Sequence, residues 1–172
     1  SDGYTVHIAN KPAILRAFVS VEGSALVNNV SVRLTRFTNG TAQDSLDAVS
    51  LKVENDILED GLLHTANFSL PSHWLLPGTE YVIEVDPNQT IPEVNESNNR
   101  FPASGNKSFN FVNTPDIEVV IVPVTYAKPG APVTNPDLTD LTYLNWMPGH
   151  IYPLAHINYT IRSSPYTFTG DL

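Results

Sequence analysis

The sequence predicts an all-β protein, a β-sandwich over residues 1–113 followed by a short β-containing extension over residues 114–172. Three observations carry that prediction. Apolar and polar residues alternate over short runs bounded by turn-forming residues. Fourteen prolines in 172 residues break helical ladders and favour short strands and turns. The composition then changes after Asn113-Thr114-Pro115, where Pro115 also restricts the residue before it. The length suits one sandwich of about 100 residues with a segment appended.

The elements follow in order. Residues 12–21 read as a strand with Leu15, Ala17, Val19 and Val21 on one face. Residues 30–37 hold the cleanest period of two, Val30, Val32 and Leu34 inward and Ser31, Arg33 and Thr35 outward. Asn39-Gly40 marks a tight turn. Residues 45–53 and 65–70 are shorter strands, separated by an acidic patch of Glu54, Asp56, Glu59 and Asp60 that reads as a solvated loop. Leu75-Leu76-Pro77-Gly78 turns into the strand beginning at Tyr81, where Val82, Ile83 and Val85 sit beside Glu84 and Asp86. Residues 107–112 close the series. One helical turn is expected over 72–75 and a short helix over 137–144, capped by Asn135 or Asp137. Beyond Pro115, the near-continuous apolar run 117–124 predicts a strand covered on both faces, and a further strand is expected over 156–162.

Composition excludes several functions. The net charge is −9, and the nine Lys and Arg are scattered, so the chain lacks the basic surface that nucleic-acid binding needs. Absence of cysteine removes disulfides, thiolate metal sites and a Cys nucleophile together, and accords with export. No apolar run is long enough to cross a bilayer, and residues 1–10 do not look like a signal peptide, so any such segment is expected to have been removed or to lie outside this sequence. Asn-x-Ser/Thr sequons occur at Asn29, Asn39, Asn67, Asn88, Asn95, Asn106 and Asn158. They are glycan acceptors in a secreted eukaryotic chain, whereas an Asn- and Thr-rich bacterial chain acquires them by composition alone.

Catalytic constellations are missing from the sequence. A zinc-protease helix needs His-Glu-x-x-His, so that two imidazoles hold the metal while the carboxylate activates water. The motif does not occur, and His7, His64, His73, His150 and His156 fall at unrelated spacings that suit packing or loop hydrogen bonds. There is no Gly-x-Ser-x-Gly elbow and no phosphate-cradling glycine loop. Glu93 and Glu96 lie on a solvated turn that keeps both ionised, so they form no acid and base pair. Asp86, Asn88, Glu93, Glu96 and Asn98 supply oxygens of the kind calcium takes, but their spacing is not that of an EF-hand loop. The simpler reading is a turn held by Asx-type bonds, with no cofactor. Trp74, Tyr81, Trp146, Tyr152, Tyr159 and Tyr166 could stack on sugar faces, yet nothing in the sequence clusters them and core packing accounts for such residues.

The stretch Val85-Asp86-Pro87, then Ile91-Pro92-Glu93 and Asn95-Glu96-Ser97-Asn98-Asn99, resembles the signature of cell-adhesion-related (CARDB-like), Ig-type domains of bacterial surface and secreted proteins. Read end to end, the chain is similar to the accessory region that precedes the catalytic domain of bacterial secreted or surface zinc metalloproteases. That likeness rests on Ile8 to Val19 as an opening strand, Glu84-Val85-Asp86-Pro87, Asn98 to Pro102, Val120 to Val124, and Tyr152-Pro153-Leu154. The resemblance implies an Ig-like sandwich and a non-catalytic module that spaces, docks or presents substrate to an adjoining protease domain of the same polypeptide. The alternative is a stand-alone adhesive module binding an extracellular protein or glycan. No catalytic residue transfers, because the zinc helix is absent.

Overall fold

The computed structural model of the protein describes residues 5–23, 26–55, 64–135, 137 and 152–169. Strands dominate it, and the fold is all-β and sandwich-like. The chain divides into two units, Ser1–Asn113 and Thr114–Leu172.

Unit 1 holds β1 (Val6–Ile8), β2 (Ala13–Phe18), β3 (Val27–Thr38), β4 (Thr41–Val53), β5 (Thr65–Leu70), β6 (Thr79–Val85), β7 (Arg100–Phe101), β8 (Lys107–Ser108) and β9 (Asn110–Val112). Its larger sheet runs β4-β3-β6, and the far edge of β6 is shared by β7 beside Ile83 and Glu84 and by β8 beside Glu80 and Tyr81. The second layer is the antiparallel pair β2-β5, and β1 lies parallel to β9. The β3-β4 hairpin closes through Asn39 (φ 51°) and Gly40 (φ 74°). Both central residues are left-handed, the backbone that matches the twist of the flanking strands.

The inward faces of these strands make the core. Val30, Val32 and Leu34 of β3 meet Leu51 and Val53 of β4, Ala66, Phe68 and Leu70 of β5, and Trp74, Leu75, Tyr81 and Phe111. Leu34 is 0 % exposed, and burying such a side chain contributes about 1.5–3 kcal/mol. Leu15, Ala17, Val19 and Val21 pack against this cluster from the side expected of them. On the opposite face of β3, Arg33 makes a two-bond pair with Asp47 directly across the ladder, at 2.8 and 3.0 Å. That contact holds the Asp47 carboxyl below its ordinary range.

Unit 2 is built differently. β10 (Ile117–Ile121) pairs in parallel with β12 (Ile157–Ile161), and β11 (Val124–Tyr126) in parallel with β13 (Tyr166–Phe168). The run 117–124 is therefore two strands, not one, because Pro123 lacks the N–H a continuous ladder requires. Nor is the run covered on both faces among the described residues: Val120 is 62 % exposed, and Ile117, Val122 and Val124 also face outward.

A single 3-10 turn forms at Ser72–Trp74, where one helical turn is expected. The short strands β1, β7 and β13 lie outside the segments whose pattern predicts strands. The expected helix over 137–144 falls almost wholly outside the described residues, as do Asp56, Glu59 and Asp60 of the acidic patch, Trp146 and His150.

Candidate functional site

Two features of unit 1 lie outside its core cluster: the turn from Asp86 to Asn99 and the groove beside it. Asp86 follows β6 directly, has a positive φ of 42° and is only 2 % exposed. Its amide donates to the Ser31 carbonyl at 2.7 Å, tying the turn to β3. One carboxylate oxygen accepts the Thr90 hydroxyl at 2.8 Å and the other accepts the Ile91 amide at 2.7 Å. Burial works to raise the pKa of Asp86, but the bonds from Ile91 and Thr90 outweigh it and hold the carboxyl below its ordinary range.

From Pro92 to Asn98 the turn is exposed. Glu96 accepts the Glu93 amide at 3.0 Å, and Asn99 donates to both Glu93 and Glu96 at 3.2 Å. Asn95 accepts the Ser97 amide at 3.1 Å and the Ser97 hydroxyl at 2.6 Å, which caps the 3-10 turn Glu96–Asn98. Of the oxygen-bearing residues weighed for calcium, Asp86, Glu93 and Glu96 spend carboxylate oxygens on these bonds, while Asn88 and Asn98 stand exposed. Among the described residues no group of three or more His, Asp or Glu converges as a metal set would.

The groove has a volume of about 410 Å³ and is lined by residues 16–20 of the β2 segment, by Ile83 and Val85 of β6, and by residues 98–101. It is aromatic and cationic. The Arg16 guanidinium sits 5.0 Å from the Phe18 ring centre while its Nε donates to Thr65 Oγ1 at 2.9 Å. Arg100 donates to the carbonyls of Pro102 and Gly105, which ties its side chain to the bend that follows β7. Phe18 and Phe101 are exposed. A groove of this make-up can seat an extended segment or a planar group against rings and guanidinium faces.

The remaining candidates separate cleanly. Trp74 and Tyr81 are core residues, and the Tyr81 hydroxyl donates to the Trp74 carbonyl. Burial pushes the Tyr81 pKa up to about 12, against the opposing charge of Arg36. Tyr152 and Tyr166 are exposed on unit 2, and Tyr159 is half-buried there. His7 packs edge-on to Phe109 and tilted against Phe111, with ring centres 5.5 and 5.7 Å away. His73 and His156 lie on the surface. The sequence reasoning missed the groove because Arg16 and Phe18 alternate as any outer strand face does, and Phe101 lies more than eighty positions away. No family model, curated protein or solved structure matches the chain.

Proposed function

We propose that the chain is a non-catalytic accessory region of a secreted or cell-surface protein, most in keeping with a bacterial one. Unit 1 is an Ig-like sandwich that spaces, docks or presents substrate to an adjoining metalloprotease domain of the same polypeptide. The Ig-like reading is supported by the pairing of β2 with β5 and β3 with β6, by the parallel β1-β9 contact, and by a tyrosine at the start of β6 bonded to the backbone seven residues upstream.

One observation carries the functional reading: the open parallel strand pairs of unit 2. A two-stranded sheet is marginal by itself, and parallel strands are ordinarily covered on both faces. Here Ile117, Val120, Val124, Ile161 and Tyr166 are exposed on them. Strands of that composition belong against further structure, which an adjoining domain supplies. Hydrogen exchange tests this by comparing the 172-residue chain with a longer one that continues past Leu172. Amides of β10 and β12 should exchange fast in the former and slow markedly in the latter. Equal protection in both would overturn the reading, as would chelator-sensitive proteolysis by the 172-residue chain itself.

The groove favours the second reading, an adhesive or glycan-binding module. It expects a bound glycan or peptide to be lost on Phe18→Ala or Phe101→Ala, with unit 2 irrelevant to binding.

A further inference from the structure

Seven sequons are more than the accessory reading uses, and the fold treats them unequally. Asn67, Asn106 and Asn158 donate their Nδ2 groups to the Thr65 carbonyl, Glu80 and Glu118 at 2.9, 3.0 and 2.6 Å. Their acceptor nitrogens are occupied. Asn29, Asn39, Asn88 and Asn95 are exposed, and no described residue accepts from their Nδ2 groups. Within these four, Asn95 is set apart by its neighbours. Glu93 stands two positions before it with no proline between, whereas Asp86 is separated from Asn88 by Pro87, and Asn29 and Asn39 have Val27 and Phe37 at that position.

Exposure points to the same place. A glycosyl transferase must draw its acceptor segment into a groove of its own, so a segment already projecting into solvent needs the least rearrangement. Every residue from 92 to 98 is exposed, and Val94 reaches 109 %, more than in an open reference peptide. The Asn95 carbonyl oxygen accepts from Ser97 twice, which holds the carboxamide in one orientation on the turn.

We propose that Asn95 is an N-linked glycan acceptor for a transferase of the bacterial type, which reads an acidic residue two positions before the asparagine through a cationic side chain. The donor is a lipid-pyrophosphate-linked oligosaccharide. Nδ2 forms a bond to the anomeric carbon, the bond from that carbon to the phosphate oxygen breaks with its electron pair leaving on the lipid pyrophosphate, and the Nδ2 proton passes to a transferase carboxylate. Glu93 supplies the ion-pair handle and Ser97 the hydroxyl that the sequon requires. The product places a bulky, solvated group on the turn beside the groove.

The test exports the 172-residue chain to the periplasm of a bacterial host carrying such a transferase and its lipid-linked oligosaccharide, then maps the glycan by peptide mass spectrometry. One glycan at Asn95 is expected. It should vanish in Asn95→Gln and Ser97→Ala, persist in Ser97→Thr, and fall at least tenfold in Glu93→Gln. Circular dichroism of the unmodified variants should match the parent, so that loss of the glycan reports loss of the acceptor and not of the fold. An unmodified parent chain overturns the proposal, and so does a glycan on Asn29, Asn39 or Asn88 with Asn95 bare.

Discussion

Units 1 and 2 draw on the same kinds of residue and reach opposite degrees of closure. In β3, Val30, Val32 and Leu34 face a second layer and are buried; in β10, Val119 is half-buried while Ile117 and Val120 are exposed. Antiparallel hairpins explain part of the contrast, since β3 and β4 need only Asn39-Gly40 to meet, and each inner side chain then finds a facing one. Parallel partners must be brought together from far along the chain, as Ile117 is with Ile157, and among the described residues Ile117, Val120 and Ile161 stay exposed on the joined pair. Apolar content alone therefore does not make a core. It takes a facing surface.

Substitutions can break or sharpen that comparison, and the largest effect is expected at the centre of unit 1. Leu34→Ala should lower stability by about 2–5 kcal/mol, from lost burial plus the cavity left behind. The equivalent change in unit 2, Val120→Ala, should stay within about 0.5 kcal/mol because the side chain is exposed. Urea titrations of the two variants make the check, and a similar cost at both positions would erase the contrast between the units.

Next in size comes Asp86→Asn, expected to cost about 1.5–3 kcal/mol through the weakened bonds to Thr90 and Ile91. The pH dependence gives the sharper signature. Because the folded pKa lies below the unfolded one, the contribution of Asp86 is complete above the ordinary carboxylate pKa and is lost as pH falls through the lowered folded value. Thermal melts down an acid series should show a fall in the parent that is smaller in Asp86→Asn. Equal acid sensitivity would remove Asp86 from the account.

Tyr81→Phe should cost about 1–3 kcal/mol by leaving the Trp74 carbonyl without its donor. Its pKa moves the other way, up to about 12. Stability from the protonated phenol is thus complete below pH about 10 and is lost as pH rises toward the folded value. Alkaline melts should find Tyr81→Phe less sensitive across that window than the parent. Smallest within unit 1 is Gly40→Ala, about 1–2 kcal/mol. A methyl there meets nothing within 4 Å, so the penalty is that of a left-handed backbone alone. Replacement by Asn, which tolerates that backbone, should recover most of the loss in the same denaturation assay.

Much of unit 1 was legible in the sequence. The period of two fixed which face of β3 is buried, β5 has the expected span of 65–70, and Asn39-Gly40 makes the expected hairpin. What could not be read was pairing. Val6-His7-Ile8 is too short for any period to show, and nothing in it announces a parallel partner at Asn110–Val112. Asp86 was visible as the head of an Asx-rich turn, but not as a buried carboxylate, since the bond from its amide to Ser31 joins residues that only the ladder brings together. The run at 117–124 misled for a physical reason: continuous apolar residues state that a strand tolerates burial on both sides, not that anything is there to bury it.

The parallel contact of β1 with β9 has a mechanical consequence. The chain enters unit 1 through Val6 opposite Asn110 and leaves through Val112 opposite Ile8, with the Ala9 amide extending the contact to the Val112 carbonyl at 2.8 Å. Tension between entry and exit pulls the two strands past each other along their length, so the bonds between them share the load and are not peeled apart in turn. Pulling on single molecules should show one abrupt rupture, and gradual low-force opening would contradict it. A sandwich strung in this way holds its length under load until the whole clamp gives.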